Sequence, residues 1–91
     1  MLKIVLSENP GRGATLHLEG QLIGPWVEEL RRVGKRLLAA GAELSLDLSS
    51  VSFVGREGVR TLWELRDRQV TLLNCSRFVA EQLKAVEETT P

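Results

Sequence analysis

Apolar and polar residues alternate over positions 44–49, which predicts a β-strand with one face on a core. Leucine occupies positions 44, 46 and 48, and serine or aspartate occupies the positions after each of them. From Val59 onward the apolar spacing becomes helical, with Val59, Leu62 and Trp63 on one face and Arg60 on the other. A short apolar run over residues 70–73 predicts a further strand. The unit should therefore be strand, crossover helix and parallel strand, with a right-handed connection.

Patterns elsewhere in the chain predict two more strands and two more helices. Residues 3–6 and 14–19 are expected to pair as a hairpin around a loop rich in glycine and proline. Gly24 and Pro25 should open a helix that Gly41 ends. Ser76 is a good N-cap for a last helix. The apolar face of that helix comprises Val79, Leu83 and Val86.

These elements amount to an α/β fold, a mixed and mainly parallel four-stranded sheet with about three helices. The chain has 91 residues, which suffice for one hydrophobic core and leave little room for a second. The sequence contains no recognisable linker. We therefore predict a single domain over residues 1–91, with a core over about residues 3–86.

The junction between the strand at 44–54 and the following helix is the candidate functional feature. Gly55 and Gly58 bracket it, and a helix start presents free backbone N–H groups. Arg56 places a cation at the positive end of the helix dipole, at a cost of about 0.3 to 1 kcal/mol. Arg56 either points into water or pairs with a carboxylate, or it binds a carboxylate, a phosphate or an acidic patch together with these N–H groups. Glu57, in contrast, suits a helix start.

Charge gives no reason to expect a nucleic acid or an anionic membrane as partner, because twelve basic residues balance twelve acidic ones. Helical spacing predicts exposed ion pairs between Glu28 and Arg32 and between Glu64 and Arg68. The sequence also contains a basic cluster beside two glutamates, which favours a solvated helix face over a phosphate-binding strip. The cluster consists of Arg31, Arg32, Lys35 and Arg36. Trp26 and Trp63 fall on apolar helix stripes and are expected in the core.

Candidate chemistry is sparse. Cys75 is the only cysteine and His17 the only histidine, so the chain can form neither an internal disulfide nor a tetrahedral zinc site by itself. His17 belongs to the polar face of its strand, and Cys75 is expected to be a small buried side chain. We predict no catalytic residues, no metal site and no cofactor. The apolar start of the chain turns polar at Ser7, too soon for a signal peptide or a membrane span, which favours a cytoplasmic protein.

Three segments together resemble the STAS domain of bacterial anti-sigma-factor antagonists. They are TLHLEGQLIGPWVEEL, LDLSSVSFVGREGVRTL and LLNCSRFVAEQL, and the resemblance extends from about Lys3 to Val86. It implies the same α/β fold. Many members of that family add a strand and a helix beyond the point where this sequence ends, so part of the family's surface is expected to be missing.

The sequence departs from the family at its central turn. The resemblance aligns Gly55 with an aspartate, Arg56 with the hydroxyl residue that is phosphorylated and Glu57 with a small residue, and Gly58 alone matches. Ile23 likewise replaces an aspartate that relatives often carry. Three serines lie nearby on the strand but do not stand at the helix start, namely Ser49, Ser50 and Ser52. The usual serine switch is therefore expected not to operate.

The resemblance implies a non-enzymatic module that docks on a protein partner such as a kinase-like anti-sigma factor. In the family the turn and its helix form the contact, and phosphorylation disrupts it. Carried to this chain, the partner-binding residues are Gly55, Arg56, Glu57, Gly58 and Arg60. Two alternatives remain open: a sensor of a small anion or nucleotide at the same turn, and a STAS subunit of a transport assembly.

Overall fold

The computed structural model describes residues 2–11 and 13–89, with side chains up to residue 84. Within these residues the chain forms four strands and three helices. Their order is β1 (Leu2–Glu8), β2 (Gly13–Leu22), α1 (Pro25–Ala39), β3 (Glu43–Val54), α2 (Arg56–Asp67), β4 (Thr71–Leu73) and α3 (Arg77–Thr89). The strands form one sheet in the order β1-β2-β3-β4, with β1 antiparallel to β2 and the other pairs parallel. The predicted α/β fold with a mixed, mainly parallel sheet is confirmed.

One face of this sheet carries the core. Leu16 of β2 and Leu46 of β3 are partners in the parallel register and have no exposed surface, so they point to the same side. Buried side chains from the three helices join them in one cluster, and these include Leu30, Leu62 and Val79. Burying this apolar surface is the main term that stabilises the domain.

The opposite face of the sheet is polar. His17 and Asp47 are partners across β2 and β3, and Thr15 and Ser45 are partners two residues earlier. All four are partly exposed. The polar face that the alternation predicted for His17 is therefore where this side chain lies.

Helix boundaries follow local chemistry. Pro25 lies in the first turn of α1, where a missing N–H costs nothing, and Gly41 follows the helix with φ of 85°. The Ser76 hydroxyl accepts a hydrogen bond from the Val79 N–H at 3.1 Å, which confirms the predicted cap of α3. The expected inward position of Val86 lies outside the described side chains.

Some expectations were wrong in detail. β4 has three residues rather than four, and Val70 is buried just before it while Leu73 is exposed. The two tryptophans are partly buried at the edge of the core, where the Trp63 indole N–H donates to the Leu83 carbonyl at 3.2 Å. Indole rings with a polar edge commonly take such peripheral positions.

The predicted ion pairs also differ. Glu28 pairs with Arg31 at 2.9 Å, three residues along the helix rather than four, and Glu29 pairs with Arg32. Glu64 lies 3.4 Å from Arg31 on the neighbouring helix. Helical spacing permits both three-residue and four-residue pairs, and the packing of α1 against α2 brings Arg31 within reach of Glu64.

Candidate functional site

The strand–helix turn sits where β3 passes directly into α2. Gly55 is the N-cap of α2 in an extended conformation, and its N–H donates to the Leu22 carbonyl at the end of β2 at 3.0 Å. The first helical hydrogen bond runs from the Val59 N–H to the Gly55 carbonyl at 2.9 Å. The N–H groups of residues 56–58 precede it and so have no acceptor within the helix.

Gly58 lets α2 approach β2 closely. A Cβ atom at this position would lie 2.7 Å from the Leu22 carbonyl oxygen and 2.8 Å from a methyl carbon of Val54. Side chains do not tolerate such distances, and a backbone oxygen cannot move aside easily. Gly55 is less restricted, because its Cβ would lie 3.1 Å from a methyl carbon of Ile23. The glycine that matches the family pattern is thus required by packing.

Three charged side chains surround the turn. Arg56, Glu57 and Arg60 are exposed, and Glu57 lies 3.7 Å from Arg60. Among the described side chains, no carboxylate lies within ion-pair distance of Arg56. The turn therefore presents one cation without a partner in this part of the chain, next to backbone N–H groups. Gly58 is buried and positions these groups rather than contacting solvent.

The neighbouring serines lie on the strand, as the sequence indicated. Ser49, Ser50 and Ser52 are exposed residues of β3, and the Ser52 hydroxyl donates to the Gly20 carbonyl at 3.3 Å. Ile23 is partly buried beside Gly55. None of these side chains places a hydroxyl or carboxylate at the start of α2, and no side chain forms a capping hydrogen bond at Gly55.

A second polar group, which the sequence did not reveal, lies on the open face of the sheet. The Asp47 carboxylate is 2.9 Å from His17 Nδ1, and it accepts hydrogen bonds from the Ser49 N–H at 3.0 Å and the Asn74 amide at 3.2 Å. The Ser49 N–H is the main reason why the pKa of Asp47 is well below its usual value, followed by the Ser49 hydroxyl, Asn74 and His17. Alternation placed His17 and Asp47 on polar faces, but their pairing required the register of β2 against β3.

Arg31 corrects the expectation that the whole basic cluster of α1 is solvated. Its side chain is 25% exposed, and its Nη2 donates to the Thr61 hydroxyl at 2.9 Å. Thr61 is fully buried. Arg31 Nε is at ion-pair distance from Glu64 but without hydrogen-bond geometry. This arginine therefore connects α1 to α2.

The described residues offer little for metal binding or nucleophilic chemistry. They contain no cluster of three or more histidine, cysteine, aspartate or glutamate side chains that could hold a metal ion. Cys75 is half-buried rather than buried, and burial raises the pKa of its thiol, which disfavours the reactive thiolate. Of the described helices, none has the length and apolar content needed to span a membrane.

Comparison of the structure with solved structures identifies its fold. The anti-sigma factor antagonist SpoIIAA in its unphosphorylated form matches with a TM-score of 0.68 at 20% identity, covering 98% of this chain and 84% of that one. An anti-sigma factor antagonist from Mycobacterium paratuberculosis matches with a TM-score of 0.74 at 16% identity, covering 100% and 84%. An antisigma-factor antagonist STAS domain from Rhodobacter sphaeroides matches with a TM-score of 0.62 at 17% identity, covering 80% and 86%.

The fold is therefore that of the STAS domains of anti-sigma-factor antagonists, as the sequence resemblance implied. No family model matches the sequence, and no curated protein matches it at a significant level. The identities to these structures are low, so they establish the fold and leave the activity of this chain to be argued from its own residues.

Proposed function

We propose that this chain is a non-enzymatic protein-interaction module whose β3–α2 turn docks on a regulatory protein partner, without serine phosphoswitching. The observation that carries the proposal is Arg56, an exposed cation in the first turn of α2 without a carboxylate partner among the described side chains. A residue that opposes the helix dipole is tolerated more readily where it serves a function.

The proposed contact uses the charges and amides of the turn. Arg56 and the N–H groups of residues 56–58 favour an acidic patch on the partner, since a guanidinium and a helix N-terminus both attract carboxylates. Glu57 in the first turn of α2 and Arg60 in the next turn are exposed and would border the contact. Gly55 and Gly58 would hold the helix start against Leu22.

Loss of the switch follows from the residue at the acceptor position. Phosphorylation of a hydroxyl there would add almost two negative charges, whereas Arg56 is permanently positive and has no hydroxyl. Binding would then be constitutive or controlled by the state of the partner. A kinase-like anti-sigma factor is the partner class proposed, because anti-sigma factor antagonists share this fold. On this proposal the chain would act in bacterial signal transduction and transcription regulation, in the cytoplasm.

A capture experiment tests the proposal. Wild-type protein, Arg56→Asp and Lys35→Asp are used as bait with the kinase-like anti-sigma factors of the source organism, each purified. Lys35 is an exposed cation of α1, so its replacement makes the same charge change away from the turn. We expect wild type and Lys35→Asp to bind one of these factors and Arg56→Asp to lose binding without any fall in its melting temperature.

Failure of every purified factor to bind wild type would contradict the proposed partner class. The anion-sensor alternative then gains support if inorganic phosphate or a nucleotide raises the melting temperature of wild type but not of Arg56→Asp.

A further inference from the structure

β1 is the outer strand of the sheet, and its free edge is long and apolar. Its seven residues run without a register shift against β2, and no described strand lies beyond it. Val5 is 40% exposed and Leu6 is 45% exposed. Such an edge is a template for pairing with another strand unless proline, a bulge or charge blocks it. β1 has neither proline nor bulge. The charge of its Lys3 is balanced by Glu19 of β2, which lies opposite, and its other charged residue, Glu8, lies at the end of the strand opposite Ala14.

Hydrogen bonding at the hairpin shows which backbone groups point outward. The Asn9 N–H donates to the Gly13 carbonyl at 2.9 Å and continues the β1–β2 ladder past its last pair. Bonding alternates along an antiparallel strand, so the odd-numbered residues of β1 direct their N–H and C=O groups to β2. The even-numbered residues direct theirs to the free edge. These are Leu2, Ile4, Leu6 and Glu8.

We infer that this edge pairs with the same edge of a second copy of the chain, antiparallel about a two-fold axis that passes beside Val5. The sheet would then continue across both copies. The outward N–H and C=O groups of Ile4 in one copy would exchange hydrogen bonds with those of Leu6 in the other. Leu2 and Glu8 would pair in the same way, so every outward-facing residue of β1 finds a partner.

Side-chain positions support this register over its neighbours. In such a two-fold pair the core faces of both copies lie on the same side of the continuous sheet. Residues that lie directly opposite each other must therefore both be even-numbered or both be odd-numbered. An axis at Ile4 would place Lys3 against Val5, and an axis at Leu6 would place Ile4 against Glu8. The axis at Val5 places Glu8 against Leu2 only at the two ends of the pair, and at the centre it sets apolar residues against each other on both faces of the sheet.

Leu6 explains what the pairing would contribute. It lies on the core face, opposite the fully buried Leu16, yet the helices leave it largely exposed. Ile4 is partly buried against the core cluster. In the proposed pair, Ile4 of the second copy would cover Leu6, and the two-fold axis repeats that contact. An isologous interface of this kind is the commonest arrangement of protein dimers.

Sedimentation velocity over a wide concentration range tests the inference with three proteins: wild type, Val5→Lys and Thr71→Lys. Val5→Lys sets two cations against each other at the axis, while Thr71→Lys makes a similar change on β4, the opposite edge strand. We expect a concentration-dependent dimer for wild type and Thr71→Lys, and a dissociation constant raised about tenfold or more for Val5→Lys. A wild type that stays monomeric throughout, or a Val5→Lys protein that dimerises like wild type, would overturn it.

Cross-linking tests the register even if the fold does not tolerate a lysine in place of Val5. In a Cys75→Ser background, Val5→Cys places two thiols across a non-hydrogen-bonded pair, where Cα atoms are about 4.5 Å apart and a disulfide can form. Lys3→Cys is the control, since the two introduced thiols would lie several residues apart along the paired strands. We expect mild oxidation to join Val5→Cys chains and to leave Lys3→Cys chains separate. The reverse pattern would overturn the register.

Discussion

Gln82 of α3 binds both backbone polar groups of Val54, the last residue of β3. Its Nε2 donates to the Val54 carbonyl at 2.8 Å, and its Oε1 accepts from the Val54 N–H at 3.1 Å. β4 pairs with β3 only as far as Asp47, so no described strand lies beside the end of β3 on this side. A side-chain amide therefore takes the place of a neighbouring strand next to the candidate docking turn.

Replacing Gln82 with alanine should lower the free energy of unfolding by about 1 to 3 kcal/mol, because it leaves a buried N–H and C=O unpaired. Urea unfolding measures the change. Glu81→Ala is the matched control, since Glu81 is the exposed neighbour of Gln82 on the same helix. Equal stabilities for the two variants would mean that water hydrogen-bonds the N–H and C=O of Val54 as well as the Gln82 amide does.

Gly58→Ala should destabilise the domain by about 1 to 3 kcal/mol, because the added methyl group collides with the Leu22 carbonyl. The control is Gly34→Ala in α1, where the new Cβ would lie 3.3 Å from a methyl carbon of Leu65 that can move. Alanine also gains about 1 kcal/mol over glycine inside a helix, which should leave Gly34→Ala near neutral. Thermal and urea unfolding of both variants would check the difference, and a neutral Gly58→Ala would contradict the close approach.

Arg56→Asp should raise the stability of the domain by about 0.3 to 1 kcal/mol at low salt, since it replaces a cation at the positive end of α2 with an anion. Urea unfolding at low and high salt measures this, and the gain should shrink at high salt. Lys35→Asp, in the interior of α1, should give no such gain. A variant that loses partner capture while gaining stability would separate binding from folding.

Asp47 predicts a pH dependence. The pKa of Asp47 is lower in the folded protein than the value of about 3.9 for an unfolded chain. The ionised Asp47 carboxylate therefore makes its full contribution to the free energy of unfolding at pH values above about 3.9. That contribution is lost as the pH falls below about 4 toward the folded pKa. Asp47→Asn should therefore flatten the fall of unfolding free energy with acid.

Asn74→Gly provides the graded comparison. It removes one hydrogen-bond donor to Asp47 while permitting the φ of 56° that Asn74 adopts. It should flatten the acid slope less than Asp47→Asn does, because the Ser49 N–H remains the main donor. Urea titrations at a series of acidic pH values measure both slopes, and an unchanged slope in Asp47→Asn would refute the assignment.

Thr61→Val should cost about 1 kcal/mol, because the buried hydroxyl accepts from Arg31 and valine cannot. Arg31 is partly exposed, so water can replace some of the lost interaction. Thr71→Val is the control, since Thr71 is exposed on β4. A similar stability for both variants would show that Arg31 does not link α1 and α2 energetically.

The sequence by itself determined the elements, their order and the position of the turn. Alternating leucines at 44, 46 and 48 predict β3, and the change to helical spacing at Val59 places the junction near Gly55, because these periods follow from the geometry of strand and helix. The missing hydroxyl at position 56 is likewise a fact of sequence. These features are local, so neighbouring residues suffice to predict them.

Tertiary structure alone decided the contacts between distant segments. The pairing of His17 with Asp47, the bond from Arg31 to Thr61 and the approach of Gly58 to Leu22 each join residues about thirty or more positions apart. The adjoining glutamates favoured a solvated Arg31, because neighbouring residues do not tell how α2 packs against α1. The register between strands and the packing of helices depend on the whole core, and no local pattern encodes them.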